Sequence, residues 1–223
     1  MRINNPKIWT LTDGSQGMIS QTRGLAFEFT DDIKEINTEV LFPWSKIQPG
    51  FLPVYKWIFR NKLPNIIPEI VISCGRKSVY LSIYLKKKYP KMINIHIQNP
   101  KVSSKYFSFI VAPNHDNFFG ENVINSIGAI HNFKDKKKFK EGIDFNNEKL
   151  VSCIIGGENN HYKFDLKEAN NLCDKICELK NKNRNLEFLI ITSRRTNNHI
   201  KKLIKDKLGL VAKLWLGERR KSL

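Results

Sequence analysis

The sequence predicts an α/β protein in which parallel strands alternate with helices in two successive Rossmann-like series. Three observations carry that expectation. Short apolar runs of strand length, such as Ile8–Thr12, Glu69–Ser73 and Leu186–Thr192, are separated by stretches of helical periodicity. Several of these runs lead straight into a glycine turn, as at Gly14, Gly75 and Gly156-Gly157. The alternation breaks once, over 134–149 (KDKKKFKEGIDFNNEK), in a charged and polar stretch that reads as a linker. The expected organisation is a Rossmann-like domain over 1–133, the linker over 134–149, and a partial Rossmann-like domain over 150–223.

Ile8–Thr12 is the first expected strand, and Asp13 to Gly17 (DGSQG) is a tight turn into a helix. Met18, Thr22, Leu25 and Phe29, flanked by Ile19 and Ala26, trace that helix's inward stripe. Thr38–Phe42 reads as the second strand and Glu69–Ser73 as the third, followed by a helix to Lys87. Ile93–Ile97 alternates and reads as the fourth strand, with Phe107–Ala112 as the fifth. Past the linker, Val151–Ile155 is a strand, and Leu166, Ala169, Leu172, Ile176 and Leu179 form a helix face. Leu186–Thr192 is a strand, Thr196–Leu208 a helix capped by Thr196, and Leu210–Leu216 a last, exposed edge strand. Three strands and two helices make a poor domain alone, so the second domain is expected to be incomplete.

With 223 residues, 41% hydrophobic and carrying 14 Phe, 6 Tyr and 4 Trp, the chain can bury a core. A disordered tail, a collagen-like fibre and a disulfide miniprotein are excluded. No run approaches the roughly 18–20 apolar residues of a membrane span. The net charge of +17 invites a nucleic-acid reading. Against it, only 9 of the 38 basic residues are Arg, and the 29 Lys accompany 27 Ile and 23 Asn, all encoded by A/T-rich codons. Aromatic and basic residues do not interleave as nucleic-acid recognition requires, so nucleic acid is not an expected partner. Cys74, Cys153, Cys173 and Cys177 contain no C-x-x-C pair, and the spacing of Cys173 and Cys177 suits helix packing better than a metal. The N-terminus runs straight into a strand without room for a targeting peptide, and a reducing cytoplasm is the expected compartment.

The candidate chemistry lies where strands end. Asp13, Gly14 and Gly17 join a strand to a helix start, where backbone N–H groups favour an anion. Gly156 and Gly157 repeat that geometry at the head of the second series. Ser193, Arg194, Arg195 and Thr196 follow a buried strand with hydroxyls and two guanidiniums, the groups suited to a phosphate or carboxylate. His115, with Asp116 beside it, is a candidate general base, although adjacent residues on extended chain point apart. Gly75 and Arg76 add a further basic position. Residues 44–63 (WSKIQPGFLPVYKWIFRNKL) are aromatic, basic and amphipathic, and read either as a helix packed on the sheet or as a segment lying on an anionic bilayer.

Taken in order, WTLTDGSQGMISQTRGLA, IVISCGRKS, HIQNP, VAPNHD, IIGG and ITSRRT resemble the mitochondrial fission ELM ("elongated mitochondria") family over about residues 8–216. The resemblance implies the GT-B glycosyltransferase architecture, two Rossmann-like domains facing across a cleft. Its motif positions fall on Asp13, Gly14, Gly17, Gln21, Gly24, Gly75, Arg76, His115, Asp116, Gly156, Gly157, Ser193, Arg194, Arg195 and Thr196. It further implies a metal-independent nucleotide-sugar glycosyltransferase without a cofactor, with the donor on the second domain and the acceptor facing the first. In that scheme Asp13, His115 and Asp116 are catalytic, His115 as the base, and the remaining positions except Gly24 bind ligand. The alternative it carries is a non-catalytic adaptor, because plant members are implicated in recruiting a dynamin-related protein to mitochondria. The chain is then expected to sit peripherally on the inner face of a membrane. Beyond Glu218 the text LWLGERRKSL departs from the family pattern, which implies that the second domain stops short.

Overall fold

The computed structural model describes residues 5–47, 50–132, 149–158, 162–193 and 195–217. The chain divides into two compact units, with the described part of the first ending at Asn132 and that of the second beginning at Lys149. The expected linker lies outside the described residues except for Lys149, which opens a strand.

The first unit is a doubly wound parallel sheet. β1 (Ile8–Thr12), β2 (Ile33–Asn37), β3 (Ile70–Cys74), β4 (Ile93–Ile97), β5 (Phe109–Pro113) and β6 (Val123–Ser126) stand in the order β2-β1-β3-β4-β5-β6. Every residue of β1 and β3 is buried, with Thr10, Thr12 and Ser73 the polar members of otherwise apolar strands. α1 (Gln16–Ala26) covers one face, with Ala26 packed among Ile8, Ile70, Ile72 and Ile97. α2 (Arg76–Lys88) covers the other, where Val79, Leu81 and Leu85 meet Trp9, Leu11, Val71 and Ile110.

Four expectations need correction here. The second strand is Ile33–Asn37, not Thr38–Phe42. It pairs residue by residue with β1, whereas 38–41 turns away to bridge Phe59 through Val40. Phe29 lies past the end of α1 and is 46% exposed, so the inward stripe stops at Ala26. β6 was not foreseen. Residues 44–63 hold no continuous helix: Pro43, Gly50 and Pro53 confine them to single 3₁₀ turns at Trp44–Lys46 and Lys56–Ile58.

The second unit has β7 (Lys149–Ile155), β8 (Leu186–Thr192) and β9 (Lys213–Trp215), parallel and in that order. α3 (Leu166–Lys182) and α4 (Asn198–Leu208) pack on one face, where Cys173, Ile176, Ile200 and Ile204 enclose Phe188 and Ile190. The Asp165 carboxylate accepts the Glu168 N–H at 2.9 Å and starts α3. Leu166 and Leu179, expected inward on α3, are 52% and 48% exposed, and Cys173 takes the central place. Asn197 rather than Thr196 caps α4, accepting the His199 N–H at 2.9 Å. The last strand shortens to three residues, and Leu210 is fully exposed before it.

Candidate functional site

In the first unit β2 and β3 lie on opposite sides of β1, so the chain reverses its winding direction between β1 and β3. Ligands of such sheets sit outside the carboxyl ends of the strands at that switch point. The turns after β1 and β3 flank it. Asp13 shapes the first turn, its Oδ1 accepting the Ser15 N–H at 3.0 Å, while Thr12 Oγ1 accepts the Gly14 N–H at 3.2 Å. Gly75, at φ +94°, closes on α1 so tightly that a Cβ would overlap the Met18 sulfur. Gly17 is different: a Cβ there would meet nothing within 4 Å, so packing does not demand the glycine. Arg76 is exposed and has no ion pair among the described residues.

Two expected site residues of this unit have structural duties. Gln21 is buried, and its Nε2 donates to the Gly17 carbonyl at 3.3 Å while Oε1 has no partner. Gly24 is packed under the His131 carbonyl, where any Cβ would collide. Cys74, beside Asp13, is pushed up to about 12 by burial and by that carboxylate, so its thiol stays protonated.

His115 and Asp116 stand in a 3₁₀ turn after β5, with β4 between them and the Gly75 turn. At two strand spacings, roughly 10 Å, they share the rim but not the switch point. His115 Nε2 and Asp116 Oδ1 are 3.7 Å apart, beyond a hydrogen bond. The other oxygen of Asp116 accepts the Asn99 N–H at 3.3 Å, so this carboxylate ties the β4 and β5 loops together. The His115 side chain is 72% exposed.

The second unit draws its predicted residues closer. The Thr196 hydroxyl lies 3.1 Å from the Ile155 carbonyl and 3.0 Å from that of Gly156, and it accepts the Ser193 N–H at 3.0 Å. Thr196 therefore staples the end of β7 to the end of β8. Ser193 Oγ accepts the Arg195 N–H at 3.1 Å, holding the guanidinium-bearing residue in the turn. Arg195 is exposed and unpaired among the described residues, whereas Arg194 lies outside them. Thr192, just upstream, carries a buried hydroxyl without a partner among the described residues.

Gly156 borders open space and lines a cleft of about 340 Å³ with Ile154, Tyr162, Phe164, Glu168 and Lys175. Tyr162 and Phe164 stack there at 6.5 Å and 17°. Sequence reasoning missed these aromatics, although two rings spaced by one residue just after a double glycine were a usable signal. A strand-end glycine open to the cleft, an exposed guanidinium, a lysine and a flat aromatic pair can seat a phosphorylated aromatic ligand. Among the described residues no three His, Cys, Asp or Glu side chains gather as a metal site.

An uncharacterised protein of Rickettsia prowazekii (strain Madrid E) is 27% identical over 245 residues, covering 89% of this chain and 67% of that protein. Two solved structures are similar at a TM-score of 0.49. One is Staphylococcus aureus MnaA with UDP, 13% identical, covering 94% of this chain and 68% of that one. The other is the UDP-GlcNAc 2-epimerase of Neisseria meningitidis bound to UDP-GlcNAc, 14% identical, covering 96% and 73%. The family described as "Mitochondrial fission ELM1" matches residues 16–222, which takes in every motif position above except Asp13 and Gly14. With nearly the whole length matched, the chain belongs to the mitochondrial fission ELM1 family.

Proposed function

We propose that the chain binds a nucleotide sugar and acts as a GT-B-like, metal-independent glycosyltransferase. The second unit is the donor site in this reading. Tyr162 and Phe164 take the base, while Arg195, Lys175 and the backbone at Gly156 take the diphosphate. The observation that carries it is Gly156, which neither backbone strain nor packing requires to be glycine and which opens onto the cleft beside the stacked rings. A glycine with empty space over it lets a ligand approach the main chain. His115, exposed on the rim of the first unit, is the candidate general base of this reading. The nucleoside diphosphate then leaves with its charge met by Arg195.

Thermal unfolding of the chain with millimolar UDP, GDP, CDP and their sugar conjugates tests this. A bound ligand at a hundred times its Kd adds about 2.7 kcal/mol, enough to raise the midpoint by several degrees. The reading expects that rise with at least one diphosphate and none with the bare nucleosides. Equal midpoints with every diphosphate would reject it in favour of the adaptor.

A further inference from the structure

We propose that Phe42, Phe51, Tyr55 and Trp57, with the lysines around them, form a docking surface on the first unit for an anionic lipid bilayer. The proposal is independent of nucleotide-sugar binding. Phe42 and Phe51 are 79% and 82% exposed, Tyr55 60% and Trp57 57%, all on one loop between β2 and β3. The rings are organised rather than scattered: Trp57 meets Trp44 edge-on at 5.3 Å and stacks on Tyr55 at 6.2 Å and 11°.

The loop that presents them is braced from beneath. Ile58 and Phe59 are buried in the core, with Leu52, Val54 and Trp44 packed against it. Leu41 N–H donates to the Ile58 carbonyl at 2.8 Å, and the Gly50 N–H donates to the Tyr80 hydroxyl on α2. The outer aromatics thus stay in water while the inner row is already satisfied. A concentrated apolar patch held out in this way marks an interaction surface.

Charge selects the partner. From Val40 to Leu63 there is no acidic residue, and Lys46, Lys56, Arg60 and Lys62 are all exposed. Glu39, at the stem of the loop, lies 4.0 Å from Arg60. Aromatic side chains at headgroup level with lysines around them are the chemistry of an anionic membrane surface. Single-stranded nucleic acid is the poorer match, because the exposed cations are mostly lysine rather than the arginine that stacks on bases. The stem of the loop begins at the rim of the first unit, where Asn37 lies against Gly14 and Thr38 Oγ1 is 3.4 Å from Ser78 Oγ. Docking would hold that rim beside the lipid headgroups.

Sedimentation with sucrose-loaded vesicles tests the proposal on the whole chain, comparing phosphatidylcholine alone with phosphatidylcholine containing about a third phosphatidylserine. Binding should be at least tenfold stronger to the anionic vesicles. The variant F42S/F51S, which alters only exposed side chains, should reduce it at least fivefold with an unchanged unfolding midpoint. The variant K46Q/K56Q/K62Q should do the same and leave little further salt dependence. Absence of binding to anionic vesicles, or binding that both variants retain, would overturn the proposal. So would tighter retention of an oligothymidine than of the vesicles.

Discussion

Gly157 lies directly beneath the backbone of Arg195, so close that a single methyl group on it would overlap the Arg195 carbonyl. Its neighbour Gly156 faces open space. The double glycine that looked like one motif therefore has two separate causes, one of packing and one of access. Gly157→Ala should cost roughly 1–3 kcal/mol by overpacking, because the atoms it meets are main chain and cannot swing away. Gly156→Ala should stay within about 0.5 kcal/mol of the parent. Urea unfolding followed by far-UV circular dichroism distinguishes them, and equal losses would contradict the division.

Thr196 is the second support of this rim. It is 4% exposed and its hydroxyl serves both strand ends. Thr196→Val preserves the shape but removes the hydroxyl from both strand ends, leaving the Ser193 N–H only the Ile155 carbonyl at 3.0 Å. A loss of about 1 kcal/mol is expected. Thr196→Ser, which retains the oxygen, should recover most of it in the same denaturation experiment.

Gly17 offers a test in which stability and binding move in opposite directions. It is the second residue of α1 and no atom lies within 4 Å of its missing Cβ. Gly17→Ala should hold or raise stability by up to about 1 kcal/mol through reduced backbone freedom. If the turn receives a ligand at its main chain, the same methyl should weaken affinity for a diphosphate or for the acceptor. Calorimetric titration beside thermal unfolding reads both.

His96 makes the first unit acid-sensitive. It is buried at the centre of the sheet, 2.9 Å from Ser73 Oγ and 5.2 Å from the Phe107 ring, and burial holds its pKa down to about 3 from 6.5. The unfolded chain thus binds a proton that the folded chain refuses. The stability is complete above about pH 6.5 and is lost as the pH falls towards 3, by at most about 1.4 kcal/mol per pH unit. Replacing His96 by Gln should flatten this slope in unfolding curves between pH 4 and 7 on the scale of that same shift. An unchanged slope would assign the acid sensitivity elsewhere.

The interior of the sheet was readable because β1, β3 and β4 are buried, so the first two show as mostly apolar stretches and β4 as isoleucines at every second position. Its edges were not. Ile33–Asn37 (IKEIN) and Val123–Ser126 (VINS) are flanking strands with mostly exposed or half-exposed side chains, so little apolar pattern marks them. The more apolar Thr38–Phe42 drew the assignment instead. At the rims, strand-end glycines and the Ser193–Thr196 turn were visible in the residues, but what each one touches was not. That Gly24 and Gly157 serve packing, and Gly17 and Gly156 do not, depends on neighbours 38 to 107 residues away in the chain or on empty space. His115 and Asp116 were legible as a pair, and they stand 3.7 Å apart, at ion-pair distance without a direct hydrogen bond.

The central claim is that the rim of the second unit, from Gly156 to Arg195, seats a diphosphate. Isothermal titration of the parent chain, Gly156→Ala and Arg195→Ala with the nucleoside diphosphate that stabilises it best tests this most directly. The account predicts a Kd raised at least tenfold in each variant, with unfolding midpoints within about two degrees of the parent, as expected for surface changes outside the core. Unaltered affinity in both variants would contradict it.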